Sequence, residues 1–319
     1  MLRSIFVSLS HAAWAQRIIP RLGLVRRMAG RFVAGETSDA AIHAIQELNA
    51  RGINATLDHL GENTTTAEAA CQATDDAAAM LAAIERSGVR ANISIKLSQI
   101  GLTVDAELCR QNLRRLLELA QAQDSFVRID MEDSSLTDAT LDVYFWARQQ
   151  GFERVGIVLQ AYLYRSEADL RKVLAAAGRV RLCKGAYNEP ARIAYPQKAD
   201  VDRNYDRLAG LLLEGAQQAG LPRLSSGGRI PPIPALATHD EKRIQFVRVE
   251  AERMGLPRDA IEFQMLYGIR RELQDGLAAA GYPVRVYVPY GTHWFPYFMR
   301  RLGERPANLW FFTSNFLRR

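Results

Sequence analysis

Cysteine is scarce in this 319-residue chain: Cys71, Cys109 and Cys183 stand apart, with no CxxC spacing. That argues against a disulfide framework and a thiolate zinc site, and a reducing, intracellular compartment is expected. No apolar run reaches the length of a membrane span, so no segment is expected to cross a bilayer. HExxH, GxSxG and any clustered His/Cys/carboxylate set are also missing, which removes the usual zinc and serine hydrolases; no metal site is expected. No GxGxxG follows an early strand, which argues against a doubly wound dinucleotide-binding sheet. Acidic residues are absent before Glu36, where six arginines equal the whole net charge of +6; from Glu36 onward 35 basic residues balance 35 acidic ones. The body is neutral, so the net charge is no argument for nucleic acid, and none is expected as a partner.

What is present is a repeating alternation. Short β-rich runs are read at Ile53–Leu60, Ala91–Ser98, Phe126–Glu132, Val155–Ala161, Val180–Lys184, Ala235–Thr238, Ile261–Leu266 and Val284–Val288. Between them lie Ala-, Leu- and Glu-rich stretches at helical spacing, such as Ala67–Arg86, Ala106–Gln123, Leu136–Gln150 and Ala199–Ala219. Strands separated by helices pair in parallel through right-handed crossovers, and eight such units close into a (β/α)8 barrel. With 48% apolar residues the chain has ample core for one.

Most of these runs finish on polar residues: Asp58 and His59, Lys96, Asp130 and Glu132, Gln160, Arg181 and Lys184, Thr238 and His239, Gln264, and Tyr287. Charges are costly inside a barrel, so these side chains are expected to open onto the C-terminal face, where barrel active sites lie. Lys96, Arg181, Lys184, His239 and Gln160 form a pool of cationic and amide donors. Such a set suits a large phosphate-bearing cofactor with an acceptor-rich ring, beside a small carboxylate substrate. The Gly185-Ala186 step lets backbone approach a phosphate closely.

The densest segment runs from Tyr287 to Glu304 and combines an apolar strand, a Gly turn and a helix from about Trp294. Tyr297, Arg300, Arg301 and Glu304 fall at helical spacing on one face. Two adjacent guanidiniums repel unless an anion lies between them, and a planar carboxylate matches their donor forks. Only a short turn separates the eighth strand from this helix, which is expected to lie over the barrel mouth.

These segments, and most of the chain from about Phe32 onward, resemble the proline dehydrogenases. The resemblance implies a non-covalent FAD lying across the C-terminal face of a distorted barrel, with extra N-terminal helices and the eighth helix over the substrate. Residues 1–48 would form the N-terminal helical segment and residues 49–319 the FAD-binding barrel. Arg300 and Arg301 would grip the proline carboxylate, with Lys96 as a third cation. Tyr287 would pack on the pyrrolidine ring, Tyr297 and Leu266 would close the pocket, and Glu304 would steady the arginine pair. Asp130 would organise Lys96 and its neighbours. Gln160 would meet the isoalloxazine and Arg181 would sit near flavin N5, while Lys184, Gly185, Ala186, Thr238 and His239 would hold the remainder. The implied reaction passes a hydride from C5 of L-proline to the flavin and yields Δ1-pyrroline-5-carboxylate. A quinone-type acceptor would reoxidise the flavin, and a separate pyrroline-5-carboxylate dehydrogenase would complete the oxidation to glutamate.

Other readings stay open. The basic N-terminal segment, with Ile5, Phe6, Trp14, Ile18, Ile19, Leu22 and Leu24, suits a peripheral membrane contact, a targeting segment or a helix packed on the domain. The tail from Phe311 is a second apolar and basic patch. The Gly/Pro-rich stretch Ser225–Pro234 leaves the start of the sixth strand undefined. A Schiff-base aldolase using Lys96 or Lys184, and a non-catalytic amino-acid or flavin-binding barrel, are the rival functions.

Overall fold

The structure, a computed structural model, describes residues 12, 23–61 and 64–304. Ile5, Phe6, Trp14, Ile18, Ile19, Leu22, Glu62 and the tail from Phe311 lie outside the described residues, as do the side chains of Leu24 and Glu304.

Eight strands form a closed parallel barrel: β1 (Asn54–His59), β2 (Ala91–Ile95), β3 (Val127–Ile129), β4 (Val155–Gln160), β5 (Arg179–Cys183), β6 (Pro234–Ala237), β7 (Glu262–Leu266) and β8 (Val284–Tyr290). Closure is made by β1 against β8, in register from Asn54 with Arg285 to His59 with Tyr290. Among the described residues two helices precede the barrel, α1 (Gly23–Ala29) and α2 (Ser38–Ala50). One follows each strand: α3 (Ala67–Ser87), α4 (Ala106–Ala122), α5 (Thr137–Gln149), α6 (Ser166–Ala175), α7 (Lys198–Gln218), α8 (Glu241–Arg253), α9 (Arg271–Ala279) and α10 (Trp294–Glu304). Helix starts are marked chemically. The side chains of Thr37, Thr66, Asp105 and Asp240 accept first-turn amides of α2, α3, α4 and α8, and Gly88 ends α3 in the left-handed region. Among the described residues no helix is long and apolar enough to cross a membrane.

The expected barrel is present, but two strands are shorter than read. Runs expected over Ala91–Ser98 and Phe126–Glu132 leave the ladder at Ile95 and Ile129. Their polar ends turn toward each other instead: the Ser98 amide and hydroxyl donate to the Glu132 carboxylate at 3.1 and 2.5 Å.

Alternate strand positions face opposite ways. Ile93, Ile157, Leu159, Phe263, Val284, Val286 and Val288 belong to the apolar layer between sheet and helices. Many positions of the other parity are polar, among them Ser94, Arg128, Arg181, Glu262, Gln264 and Arg285, and they meet inside the barrel, because their contacts join strands that are not neighbours. Arg181 on β5 reaches Asp130 beyond β3 and Gln264 on β7. A barrel interior is usually filled by branched aliphatics. Here it is polar, which corrects the expectation that charge is confined to the mouth. Arg128, Glu262 and Arg285 are fully buried, with Arg285 Nε 2.9 Å from Glu262 Oε1. Arg285 and Glu262 compensate each other, Arg128 is met by carbonyls and an aromatic face, and among the described residues Arg128 Nη2 and Glu262 Oε2 have no hydrogen-bond partner. Arg128 Nη1 donates to the carbonyls of Arg179 and Ile157 at 2.6 and 3.2 Å, and its guanidinium lies 4.9 Å from the Phe126 ring centre. Gly156 makes room for it: a Cβ there would stand 2.4 Å from Arg128 Nη1.

The stretch Ser225–Pro234 turns out to close the floor of the barrel. Gly228, at φ +67°, offers its carbonyl to Arg285 Nη2 at 2.7 Å, and the Arg229 carbonyl accepts from Asn92 Nδ2 at 2.7 Å. Both donors sit near strand starts, so the loop plugs the N-terminal end, and β6 begins at Pro234.

At the other end, α2 packs against β1 and β8 on the outer wall. That leaves α10 free of the wall position. Its Trp294, Phe295, Phe298, Met299 and Leu302 pack with Val25, Met28, Phe32 and Val33 of the α1 region and with Leu60, just past the C-terminal end of β1. Helix α10 therefore lies over the mouth.

Candidate active site

Under α10 the mouth is organised around one carboxylate. Asp130 Oδ1 accepts from Arg181 Nη1 at 2.7 Å and from Ser94 Oγ at 2.5 Å. Its Oδ2 accepts from the Tyr287 hydroxyl at 2.8 Å. Lys96 Nζ lies 3.9 Å from that same oxygen and 3.3 Å from Asp58 Oδ1. Two cations and two carboxylates thus form a compact, nearly dry cluster, with Arg181 6% and Asp58 1% exposed.

Electrostatics fixes the protons. Burial works against the Lys96 charge, but Asp58 and Asp130 outweigh it, and the net effect raises its pKa above the ordinary lysine value. Burial and the neighbouring Asp130 and Asp58 charges push the Tyr287 hydroxyl well up, so it stays a donor. Burial raises the Glu132 carboxyl, against the opposing hydrogen bonds from Ser98. Burial also pushes the Tyr187 hydroxyl up to about 12; Glu132 adds to this, while Lys96 and Arg300 oppose it. Arg300 of α10 and Lys96 of the barrel therefore bear on the same half-exposed tyrosine.

On α10 itself, Tyr297 is buried and the Arg301 guanidinium stacks 5.3 Å from its ring centre, while Arg300 is exposed. The i, i+4 pair shares a face as expected. Leu266, at the end of β7, is in register with Tyr287, and its amide donates to His239 Nε2 at 3.0 Å.

Comparison with known proteins gives the family. The sequence profile of the family described as Proline dehydrogenase matches residues 41–314. The chain belongs to the proline dehydrogenase family. It is 40% identical to Proline dehydrogenase 1 of Bacillus subtilis (strain 168) over 319 residues, all of both chains. It is 41% identical to Proline dehydrogenase of Deinococcus radiodurans over 295 residues, 91% of this chain and 90% of that one. Among solved structures it resembles proline utilization A (PutA) from Bdellovibrio bacteriovorus inactivated by N-propargylglycine. That match has TM-score 0.79 and 25% identity, covering 95% of this chain and 36% of the other.

The residues assigned to FAD by resemblance to the proline dehydrogenases fall into two groups. Gln160 and Arg181 lie deep in the barrel. Gln160 is 3% exposed, and among the described residues its Oε1 has no hydrogen-bond partner. Lys184, Gly185, Ala186, Thr238 and His239 line the rim beyond β5 and β6. Lys184 Nζ is held by Asp202 at 2.5 Å and Asp240 at 2.6 Å, and Thr238 Oγ1 accepts the Asp240 amide at 3.1 Å. Gly185 has φ +116°, and a Cβ there would stand 2.2 Å from the Tyr162 ring, so only glycine lets the backbone lie this low.

Sequence reasoning missed several members. Asp58 was read only as a strand end, yet it pairs with Lys96; Ser94, Gln264, Glu132 and Tyr187 received no role. A usable signal was present: Ser94, Gln264 and Glu262 occupy the same alternating positions as the residues that were chosen. Among the described residues no group of three or more His, Cys, Asp or Glu side chains is placed to hold a metal ion.

Proposed function

We propose that this chain oxidises L-proline to Δ1-pyrroline-5-carboxylate with a non-covalently held FAD, the first step of proline catabolism. The observation that carries the reading is the Asp130 cluster, which gathers Arg181, Ser94, Tyr287 and Lys96 beneath a helix bearing Arg300 and Arg301. The residues fit the cofactor. The buried Gln160 Oε1 has need of a donor such as a ring N–H, and the glycine cradle at Gly185 admits a bulky group close to backbone. Gln160 and Arg181 would hold the ring, and Lys184, Gly185, Ala186, Thr238 and His239 the rest. When bound, FAD supplies the two-electron acceptor for the hydride from proline C5.

The protein's own contribution is orientation and charge. Arg300, Arg301 and Lys96 hold the carboxylate, which fixes the ring beneath α10. Tyr287, anchored through its hydroxyl to Asp130, packs against the pyrrolidine ring, and Leu266 and Tyr297 exclude water. Glu304 is assigned to steady the arginine pair. Lys96 is held protonated, which suits it to bind a carboxylate and not to accept a proton. Its pairing with Asp58 and Asp130 disfavours a Schiff-base aldolase, whose nucleophile is a neutral amine; Lys184, engaged by two carboxylates, is no better placed. A quinone-type acceptor is proposed for the electrons, and a separate pyrroline-5-carboxylate dehydrogenase as the consumer of the product.

The test is spectroscopic. Purified protein should show a flavin spectrum that bleaches anaerobically with L-proline and stays unchanged with D-proline or alanine. A colourless protein that gains no activity with added FAD would overturn the reading.

A further inference from the structure

We propose that Glu262 is a positioning residue for the substrate site, acting from the barrel floor through Gln264 and Arg181 on Asp130, the carboxylate that fixes Tyr287 and Lys96. The proposal rests on the proline-oxidising reading above.

Glu262 opens β7 and is 0% exposed, yet it lies away from the mouth, and the reaction needs no carboxylate there. One of its oxygens, Oε1, accepts two hydrogen bonds, from Arg285 Nε at 2.9 Å and from Gln264 Nε2 at 2.6 Å. Arg285 is itself immobilised. Its Nη1 donates to the Ala55 carbonyl and its Nη2 to the Gly228 carbonyl of the floor loop, each at 2.7 Å.

Gln264 stands two residues further along the strand, on the same interior side. Its amide has one donor end and one acceptor end, whereas a carboxylate only accepts. Glu262 therefore dictates the orientation: the Gln264 nitrogen must face it, which leaves Gln264 Oε1 to accept from Arg181 Nε at 2.5 Å. Arg181 is then held on its Nε edge by Gln264 and at Nη1 by Asp130 at 2.7 Å, with its Cζ 5.3 Å from the Tyr287 ring centre. A rigid guanidinium gripped at two edges has no remaining freedom of direction. A hydrogen-bonded line thus runs from the floor loop through Arg285, Glu262, Gln264 and Arg181 to Asp130.

Stability does not explain this line. Apolar residues of similar volume in place of a buried ion pair are often neutral or stabilising. What an apolar pair could not do is set the direction of an amide.

Glu262→Gln tests it with little change of volume. An amide at 262 can present either end, so Gln264 is free to turn its nitrogen toward Arg181. Arg181 then loosens its hold on Asp130, and with it the placing of Tyr287 and Lys96, so proline KM should rise about tenfold, by more than kcat falls. The dissociation constant of L-tetrahydro-2-furoate, a ring-oxygen analogue with no amine to oxidise, should rise by the same factor, read from its perturbation of the flavin spectrum. Gln264→Met should match that effect, and the double variant should add nothing further. An unchanged analogue affinity in Glu262→Gln, or additive effects in the double variant, would overturn the proposal. Should Glu262→Gln fail to fold, Gln264→Met leaves the Arg285–Glu262 pair intact, and wild-type analogue affinity in it would overturn the proposal equally. Wild-type protein that does not oxidise proline would refute the underlying function, an outcome visible before any variant is measured.

Discussion

Replacing Lys96 with methionine strands a single carboxylate. In the wild-type protein Nζ lies 3.3 Å from Asp58 Oδ1 and 3.9 Å from Asp130 Oδ2. Asp130 keeps Arg181 in the variant. Asp58, 1% exposed and with its Oδ2 already lacking a partner among the described residues, loses its cation. Two unit charges at that separation attract by about 5 kcal/mol at an effective dielectric of about 20. Breaking a buried pair on one side costs roughly 3–5 kcal/mol. A chain of this size then loses on the order of 2 °C of Tm per kcal/mol, so a fall of about 6–10 °C is expected near neutral pH. The loss should also acquire a pH dependence of definite sign. A buried carboxylate without a cation binds a proton more tightly in the folded state than in the unfolded chain. The folded variant then carries more protons, and its stability falls as pH rises through that window. In the wild-type protein the folded Lys96 value lies above the ordinary 10.5, so the lysine's contribution is complete below that value and is lost only at more alkaline pH. Thermal unfolding of both proteins at about pH 5.5 and about pH 8.5 separates the cases. The deficit should be small at the acid pH and large at the alkaline one. An equal deficit at both would refute the stranded-carboxylate account. Proline KM should rise as well, and a normal KM would remove Lys96 from the carboxylate site.

Three further outcomes are expected. Arg300→Met and Arg301→Met should each raise proline KM by about tenfold or more, since a charge-assisted hydrogen bond contributes roughly 1.5–3 kcal/mol; near-normal kinetics in both would sink the clamp. Tyr287→Ser should loosen discrimination against ring-hydroxylated prolines, and unchanged selectivity ratios would remove its ring from the pocket wall. Alkylation of the native protein at about pH 8 should modify Cys71 alone. It is exposed, while burial pushes the Cys109 and Cys183 thiols up to about 12. Intact-mass analysis showing a second adduct on folded protein would contradict this.

Much of the barrel was legible because two periodicities are written directly into the chain. Val284, Val286 and Val288 alternate as a strand with one apolar side, and Ala67–Ser87 carries its apolar residues at helical spacing between a Thr cap and a Gly stop. Strand-end residues such as Lys96, Asp130, Arg181 and Tyr287 were identifiable as a group, since a barrel brings all its strand ends to one face. Their partners were not. Which carboxylate answers Lys96, and which amide answers Arg181, depends on contacts across the lumen between residues as far apart as Arg181 and Gln264. The lengths of β2 and β3 were misjudged for a related reason. Ser98 and Glu132 have a side-chain hydrogen bond available to them that outcompetes continuation of the ladder.

The sequence by itself determined the number and order of strands, the apolar layer beneath the helices, the polar set at the mouth and the Tyr297 to Arg301 face of the last helix. These follow from local spacing, which fixes the direction of each side chain within its own element. The short turn after β8 already placed α10 over the mouth; only the tertiary structure decided that α2 takes the wall position in its stead, and that Ser225–Pro234 plugs the floor. It also decided that Arg128, Glu262 and Arg285 are tolerated inside the barrel. A buried charge is permitted only by partners brought from other strands, and closure of the barrel is what delivers them.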